Sequence, residues 1–302
     1  MRLHPFELAE PESLPEALDV LGDAGGETRV VAGGTALVPM MRLGLVRPER
    51  VVSLHRVSGL GELRAESGIL SVGAMVTMAE IHRSPVVRSG WPLLAEAARR
   101  VATPAIRGSA TLGGNLAYAE AASDPAPALL CLDAEVRIAA PAGERALPLS
   151  RFLTGFYETA LGTGEIVSGV RVPAAPAGAR SGYVKFCPRS AEDRPLVGVA
   201  ALVVMDPATG RCGDARIALG GAAPTAVRAA RAESSLRDAM LDNGAIRMAA
   251  EAAAAEADPL SDLMGSADYR REMVRVWVRR LLTRLRDSPL PPSSARADAL
   301  AE

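Results

Sequence analysis

Along the first part of the chain, short apolar runs alternate with stretches of helical period. Leu14, Leu18 and Leu21 recur at helical spacing behind Ser13, a candidate N-cap, with Gly25-Gly26 as the expected stop. Arg29-Val30-Val31-Ala32 is short, β-branched and closed by Gly33-Gly34, which predicts a strand, and residues 36–45 can turn from it into a helix. Strands are expected at 50–54 and 69–72, a short helix at 78–82 and a longer helix over 86–101. Residues 103–115 hold Pro104, Gly108 and Gly113-Gly114 and read as too interrupted for regular structure. They lead to a helix at 125–132 and a strand at 136–139.

Residues 173–179 are proline and small residues with nothing to bury, so they read as a linker. Beyond them, 183–186, 197–205 and 215–219 read as three strands and 225–241, 244–256 and 266–285 as helices. In the last helix Met273, Val274, Trp277, Val278, Leu281, Leu282 and Leu285 form one apolar face, which is a core-packing pattern. Strands followed by helices make an α+β unit. The expected organisation is therefore a first domain over 1–175, a small α+β domain with a three-stranded sheet over 180–286, and a disordered tail over 287–302.

At 302 residues, 49% hydrophobic, the chain is long enough for about two domains with real cores. A net charge of −1 removes the electrostatic argument for nucleic acid. No apolar run approaches the roughly 20 residues of a membrane-spanning helix, and the start lacks the apolar core of a signal peptide, so a cytoplasmic protein is expected. Cys131, Cys187 and Cys212 contain no CxxC and the three histidines are scattered, so neither a disulfide framework nor an internal metal or iron–sulfur site is expected. Lys185 is the one lysine, and no glycine precedes it in the manner of a phosphate-loop motif. GxSxG is absent and the nearest approach to GxGxxG, at Gly162, lacks its third glycine, so neither a serine hydrolase nor a Rossmann dinucleotide fold is supported.

The informative feature is a pair of double-glycine segments, Ala32-Gly33-Gly34-Thr35-Ala36 and Thr111-Leu112-Gly113-Gly114-Asn115. Glycine lets backbone N–H groups approach a charged ligand, and Thr35, Thr111 and Asn115 add side-chain donors. Either segment alone is equally a tight turn; the two together could grip a pyrophosphate. Asp124, nine residues after Asn115, offers a carboxylate to ribose or ribityl hydroxyls.

Residues 30–42 and 106–116, which contain these segments, resemble the FAD-binding medium subunit of the molybdenum hydroxylases, the family of carbon monoxide dehydrogenase and xanthine dehydrogenase. Residues 70–77, Ser123-Asp124-Pro125 and 218–225 agree, and the resemblance spans residues 1–285. It implies a two-lobed FAD-binding domain of the vanillyl-alcohol-oxidase type followed by a small α+β domain. FAD would be bound non-covalently, with Ala32, Gly33, Gly34, Thr35 and Ala36 together with Thr111, Leu112, Gly113, Gly114 and Asn115 at the pyrophosphate and Asp124 at the cofactor's hydroxyls. Val101 and the strand around Val167 and Ser168 would lie near the ring system, and Lys185 matches the family's lysine beside the flavin. No catalytic side chain and no metal ligand are implied in this chain. Iron–sulfur clusters of the 2Fe-2S kind and molybdopterin would sit only on partners, a small two-cluster subunit and a large molybdopterin subunit, assembled as a dimer of heterotrimers. Electrons would pass from the clusters through FAD to an external acceptor. Two alternatives stand beside this reading, a flavin-free docking scaffold and a stand-alone FAD-dependent reductase of the same fold. The chain departs from the family at Gly108, at Tyr118-Ala119-Glu120, and at Arg194, which stands in the segment where relatives carry a residue covering the ring.

Overall fold

The computed structural model describes residues 3–22 and 27–288. The expected Gly25-Gly26 stop and all but the first two residues of the expected disordered tail lie outside them.

The first lobe is β1 (Glu7–Ala9), α1 (Leu14–Gly22), β2 (Thr28–Val31), α2 (Leu37–Leu43) and β3 (Arg50–Ser53). Its three strands are all parallel, in the order β1-β3-β2. Ala17, Leu18, Val52, Leu54 and Leu60 pack there with Ala139 and Ile166, which belong to the second lobe. The lobes are thus joined by apolar burial, the non-directional driving force for such layers.

The second lobe comprises β4 (Leu63–Glu66), β5 (Ile69–Gly73), α3 (Met78–Arg83), α4 (Pro85–Gly90), α5 (Pro92–Arg100), α6 (Pro104–Arg107), α7 (Leu112–Tyr118), α8 (Pro125–Cys131), β6 (Glu135–Ala140), β7 (Gly143–Pro148), α9 (Leu149–Phe152), β8 (Leu153–Gly155), β9 (Glu158–Thr159) and β10 (Ile166–Pro173). Five strands form an antiparallel sheet, β4-β5-β10-β6-β7. Leu70, Val72, Val136, Ile138, Val170 and Val172 point from one face of it into a core filled by Leu93, Leu94, Leu112, Leu116 and Leu129. Two expectations change here. The single helix over 86–101 is split at Pro92, whose ring removes a backbone donor. Trp91, at the break, is buried and its indole N–H donates to the carbonyls of Val172 and Pro173, each at 3.0 Å. Nor is 103–115 irregular: Thr103 caps α6 and Thr111 caps α7, each hydroxyl accepting the N–H three residues on. Strand β7 escaped the sequence reading because it is an exposed edge with no apolar alternation.

The last unit is β11 (Arg180–Phe186), β12 (Val197–Met205), β13 (Cys212–Gly220), β14 (Val227–Arg228), α10 (Ala230–Leu236), α11 (Asn243–Glu256) and α12 (Ala267–Asp287). The three expected strands form an antiparallel sheet, extended by the two-residue β14 against Ala218 and Leu219. That pairing takes the first residues of the helix expected over 225–241. Val197, Val199, Ala201 and Val203 of β12 pack under α10, α11 and α12, whereas Ala200 and Leu202 on its other face join Tyr183 and Ala218 in the second lobe's core. Both faces of β12 are therefore covered, which explains its unbroken apolar run. Among the described residues no helix is long and apolar enough to cross a membrane.

Candidate functional site

Where β2 ends, the backbone turns through Ala32-Gly33-Gly34-Thr35-Ala36 into α2, with Gly34 at φ +69°, a conformation that favours glycine. A Cβ on Gly33 would lie 1.7 Å from the Ser109 carbonyl oxygen, so this turn rests directly on the backbone leading to α7. A Cβ on Gly114 would stand 3.4 Å from the Ala32 Cβ, and one on Gly113 2.5 Å from the Ala74 Cβ. The glycines bring the two segments against each other. They are close-approach residues as well as turn residues.

The two segments differ in what they have left to offer. In the second, Leu112 N–H donates to Val76 O and Gly113 N–H to Ala74 O, both at 2.9 Å. Gly114 N–H donates to the Thr111 hydroxyl at 3.2 Å, and Asn115 N–H to Thr111 O at 3.0 Å. In the first, the N–H groups of Gly33, Gly34, Thr35 and Ala36 have no hydrogen-bond partner among the described residues. Four consecutive free amides in a half-buried turn are a set of donors waiting for an acceptor. The Thr35 hydroxyl is likewise without a partner among the described residues. Asn115 accepts from the Ser123 hydroxyl at 2.6 Å through Oδ1, which leaves its NH2 available.

Asp124, at the start of α8, is buried. Its Oδ1 accepts from the Tyr183 hydroxyl at 2.7 Å and its Oδ2 from Lys185 Nζ at 3.1 Å. Lys185 Nζ also donates to the Arg100 carbonyl at 2.8 Å, and its side chain is 2% exposed. Burial raises the Asp124 carboxyl to about 6, outweighing the opposing pull of Lys185 and the Tyr183 hydrogen bond. The structure thus brings together Asp124 and Lys185, and adds Tyr183. Sequence reasoning missed Tyr183, although Tyr183 and Lys185 stand two apart on one strand and so share a face.

Val101 follows α5 immediately after Arg100; its carbonyl and that of Ala102 accept from the Arg107 guanidinium at 2.7 and 2.6 Å. Val167 is buried on the core face of β10. Ser168 behaves differently: at a bulge in β10 its hydroxyl donates to Glu144 at 2.9 Å, in a separate depression of about 200 Å3 that also contains Arg137. Arg137 holds the Glu144 carboxyl below its usual range. The Ser168 side chain therefore points away from the two glycine segments, while its carbonyl accepts Ala74 N–H at 3.1 Å.

Arg194 pairs with Glu120 at 2.5 Å, and the Tyr157 hydroxyl donates to the same carboxylate at 2.7 Å. Tyr118 lies against the Tyr157 ring with centroids 5.0 Å apart. Glu120, Tyr157 and Arg194 border a cavity of about 380 Å3 between the second lobe and the last unit, which Leu196 and Arg270 also line. Among the described residues no group of three or more His, Cys, Asp or Glu is placed to hold a metal ion.

Comparison with known proteins adds the following. The family described as the FAD binding domain in molybdopterin dehydrogenase matches residues 4–175, and the CO dehydrogenase flavoprotein C-terminal domain matches residues 182–285. The chain is 35% identical to the 6-hydroxypseudooxynicotine dehydrogenase complex subunit alpha of Paenarthrobacter nicotinovorans, over 94% of this chain and 95% of that one. It is also 35% identical to the carbon monoxide dehydrogenase medium chain of Hydrogenophaga pseudoflava, over 92% and 96%. Among solved structures, carbon monoxide dehydrogenase from Hydrogenophaga pseudoflava superposes with a TM-score of 0.91 at 35% identity, covering 94% of this chain and 98% of that one. Quinoline 2-oxidoreductase from Pseudomonas putida 86 gives 0.89 at 35% identity, with 95% and 98% covered.

Proposed function

Since this chain belongs to the family of FAD-binding medium subunits of molybdenum hydroxylases, we propose that it carries FAD between its two glycine segments and relays electrons from a cluster-bearing partner to an external acceptor. The observation that carries the reading is the run of four free amides over Gly33, Gly34, Thr35 and Ala36. A pyrophosphate supplies the acceptors they lack, and a protein with no anion to bind has no reason to leave such a run half-buried and unbonded.

When bound, FAD would supply the carrier that takes up and gives out electrons. The chain's own work is to hold and surround it. Gly33, Gly34, Thr35 and Ala36 donate to the pyrophosphate, with Asn115 NH2 adding a donor from the second segment. Thr111, Leu112, Gly113 and Gly114 form the rigid floor on which the first turn rests. Asp124, oriented by Tyr183 and Lys185, accepts from cofactor hydroxyls. Lys185 keeps a compact positive charge beside the ring system, where Val101 and Val167 supply apolar walls. The Ser168 carbonyl fixes Ala74 beneath Gly113, so this residue acts through backbone position.

Domain bounds of 1–175 and 180–286 follow from the same reading, with FAD held by the first. So does residence in the cytoplasm as part of a dimer of heterotrimers, with a small 2Fe-2S subunit and a large molybdopterin subunit. The test is the absorption spectrum of the purified chain before and after addition of FAD, with chromatography of released flavin. One FAD per chain is expected. A chain that stays colourless both alone and when co-expressed with its partner subunits would overturn the assignment.

A further inference from the structure

The cavity of about 380 Å3 between the second lobe and the last unit takes no part in holding FAD. Its charged lining residues form three pairs: Arg194 with Glu120 at 2.5 Å, Arg270 with Asp262 at 2.7 Å, and Arg189 with Asp193 at 3.8 Å. The lining therefore carries no net charge. Amides in its wall are spent as well: Ala122 N–H donates to the Glu120 carboxylate, Gly221 N–H to the Ala121 carbonyl, and Met264 N–H to the Asp262 carboxylate. With every cation matched by an acid and these amides bonded, the cavity lacks the oriented donors that favour a phosphate. Its volume lies within the roughly 300–1,000 Å3 usual for small-molecule sites.

What the lining leaves over is one donor and one flat surface. Arg270, which lines the cavity, is 7% exposed. Its terminal nitrogens donate to the Leu196 and Gly221 carbonyls and to Asp262, but its Nε has no partner among the described residues. A buried N–H left unbonded costs free energy, and a carbonyl oxygen held in the cavity relieves that cost. The flat surface is the two-residue loop Phe156-Tyr157 between β8 and β9. Loops of this kind favour Asn and Gly, because their backbone enters the left-handed region. Here Tyr157 sits at φ +58°, a strained conformation for a bulky side chain. Phe156 is 49% exposed and packs edge-on against Tyr157, with ring centroids 4.5 Å apart, and Tyr118 backs Tyr157. A chain with only four phenylalanines, four tyrosines and two tryptophans thus concentrates aromatic rings at one wall, and accepts backbone strain to do so.

The cavity adjoins the flavin-binding residues along two chain segments. Ala121 and Ala122 in its wall run directly into Ser123 and Asp124. Cys187, two residues beyond Lys185, has its Sγ 3.5 Å from the Asp193 carbonyl oxygen and 3.7 Å from that of Arg194. We propose that this cavity binds the external electron acceptor, and that the acceptor is an uncharged quinone. Its ring lies against Phe156 and Tyr157, and one carbonyl oxygen accepts from Arg270 Nε. The Arg194–Glu120 pair, at positions where this chain departs from its family, is the neutral wall that gives a charged acceptor nothing to bind. The proposal rests on the reading of this chain as the FAD-carrying subunit and names the class of acceptor for it. In the transfer, reduced FAD gives up two electrons and two protons on returning to its oxidised form. Each quinone carbonyl oxygen takes one of the protons, both C=O groups become C–OH, and the hydroquinone leaves.

The experiment titrates duroquinone, a benzoquinone without a tail, into the oxidised, FAD-loaded chain in its own complex and measures the heat of binding, with a nicotinamide dinucleotide titrated in parallel. One duroquinone per chain is expected, and no binding of the dinucleotide. Phe156→Ala/Tyr157→Gly removes the flat surface and relieves the strained φ. FAD content should match wild type and the thermal midpoint should match or exceed it, while duroquinone affinity falls at least about tenfold. A residue that served only packing would lower the midpoint and leave the affinity alone. Arg270→Lys keeps the charge and removes the Nε donor, and duroquinone affinity is expected to fall several-fold. Because Arg270 also braces Leu196 and Gly221, the aromatic variant decides the matter should Arg270→Lys not fold. Unchanged duroquinone affinity in the aromatic variant, or no duroquinone binding by a wild-type complex that holds FAD, would overturn the acceptor site and leave the flavoprotein reading intact. Dinucleotide binding that the aromatic variant weakens overturns the quinone assignment. A complex in which this chain holds no FAD overturns both readings.

Discussion

The two double-glycine segments look alike in sequence and do opposite things. Residues 111–115 are folded into a capped helix start in which the amides of residues 112–115 are all bonded within the protein. Residues 32–36 form a turn in which the amides of residues 33–36 are free of partners among the described residues. The difference arises from neighbours: the second segment lies against the backbone after β5, which accepts its N–H groups at Ala74 and Val76, whereas the first has only the Ser109 carbonyl pressed against Gly33. One segment is a floor and the other a set of donors, and glycine serves both because both need close backbone approach. A motif read as a ligand loop has to be separated into the part that binds and the part that supports.

The largest test of that division is Gly33→Val. The new side chain would begin 1.7 Å from the Ser109 oxygen, so the donor turn must lift off its floor. We expect FAD affinity to fall about a hundredfold or more and stability to fall by about 1–3 kcal/mol, more if the backbone moves. Flavin titration and urea unfolding measure the two; unchanged flavin affinity would show that the free amides are not the donors. Gly114→Val comes second. Its Cβ would stand 2.8 Å from the capping oxygen of Thr111 and 3.4 Å from Ala32, so it strikes the floor and reaches the donors indirectly. A loss of about tenfold in FAD affinity is expected, with about 1–2 kcal/mol of stability from cap and packing together. If it weakens FAD as much as Gly33→Val at equal stability, the distinction between the segments fails.

A reversal between two threonines sharpens the comparison further. Thr111→Ala removes a helix cap and is expected to lower stability by about 1 kcal/mol with at most a few-fold change in FAD affinity. Thr35→Ala removes no internal hydrogen bond, so stability should stay within about 0.5 kcal/mol. FAD affinity should then fall several-fold, as a hydroxyl bonded to a charged oxygen is lost. Equal effects of the two substitutions on flavin binding would contradict a floor and a donor set.

How much of this was legible beforehand follows from the same physics. The apolar face of α12 and the continuous run of β12 were readable because burial imposes period and length. The helix starts at Thr103 and Thr111 were hidden by the glycines and proline around them, since propensity argued against helix while the threonine caps and packing against Ala74 decided for it. Asp124 and Lys185 were found as separate residues; their meeting, 61 positions apart, is a product of the second lobe closing on the last unit. Tyr183 gave no signal of its own. That Ser168 turns its side chain toward Glu144 depends on a bulge, which inverts the side a strand residue faces and which alternation cannot disclose.

Tyr183→Phe extends the comparison to pH and is the smallest change. The free amides of residues 33–36 do not titrate, whereas Asp124 does, so any pH dependence of the site near neutrality belongs to the buried knot. Its carboxyl is raised from 3.8 to about 6 by burial, which means the folded protein holds a proton that the unfolded chain has already released. The stability this group contributes is therefore fully present below pH 3.8 and is lost as pH rises through about 6. The Tyr183 hydroxyl favours the ionised form and pulls the value down, so its removal should push the loss to higher pH. Below the window the variant should differ from wild type by about 0.5–1.5 kcal/mol, one ordinary hydrogen bond, and above it by about 1.5–3 kcal/mol, because the partner is then charged. FAD affinity at neutral pH should move less than about threefold, since the donor turn is untouched. Urea unfolding of both proteins across this pH range measures the divergence. Parallel stability curves would mean that Tyr183 does not bear on the ionisation of Asp124.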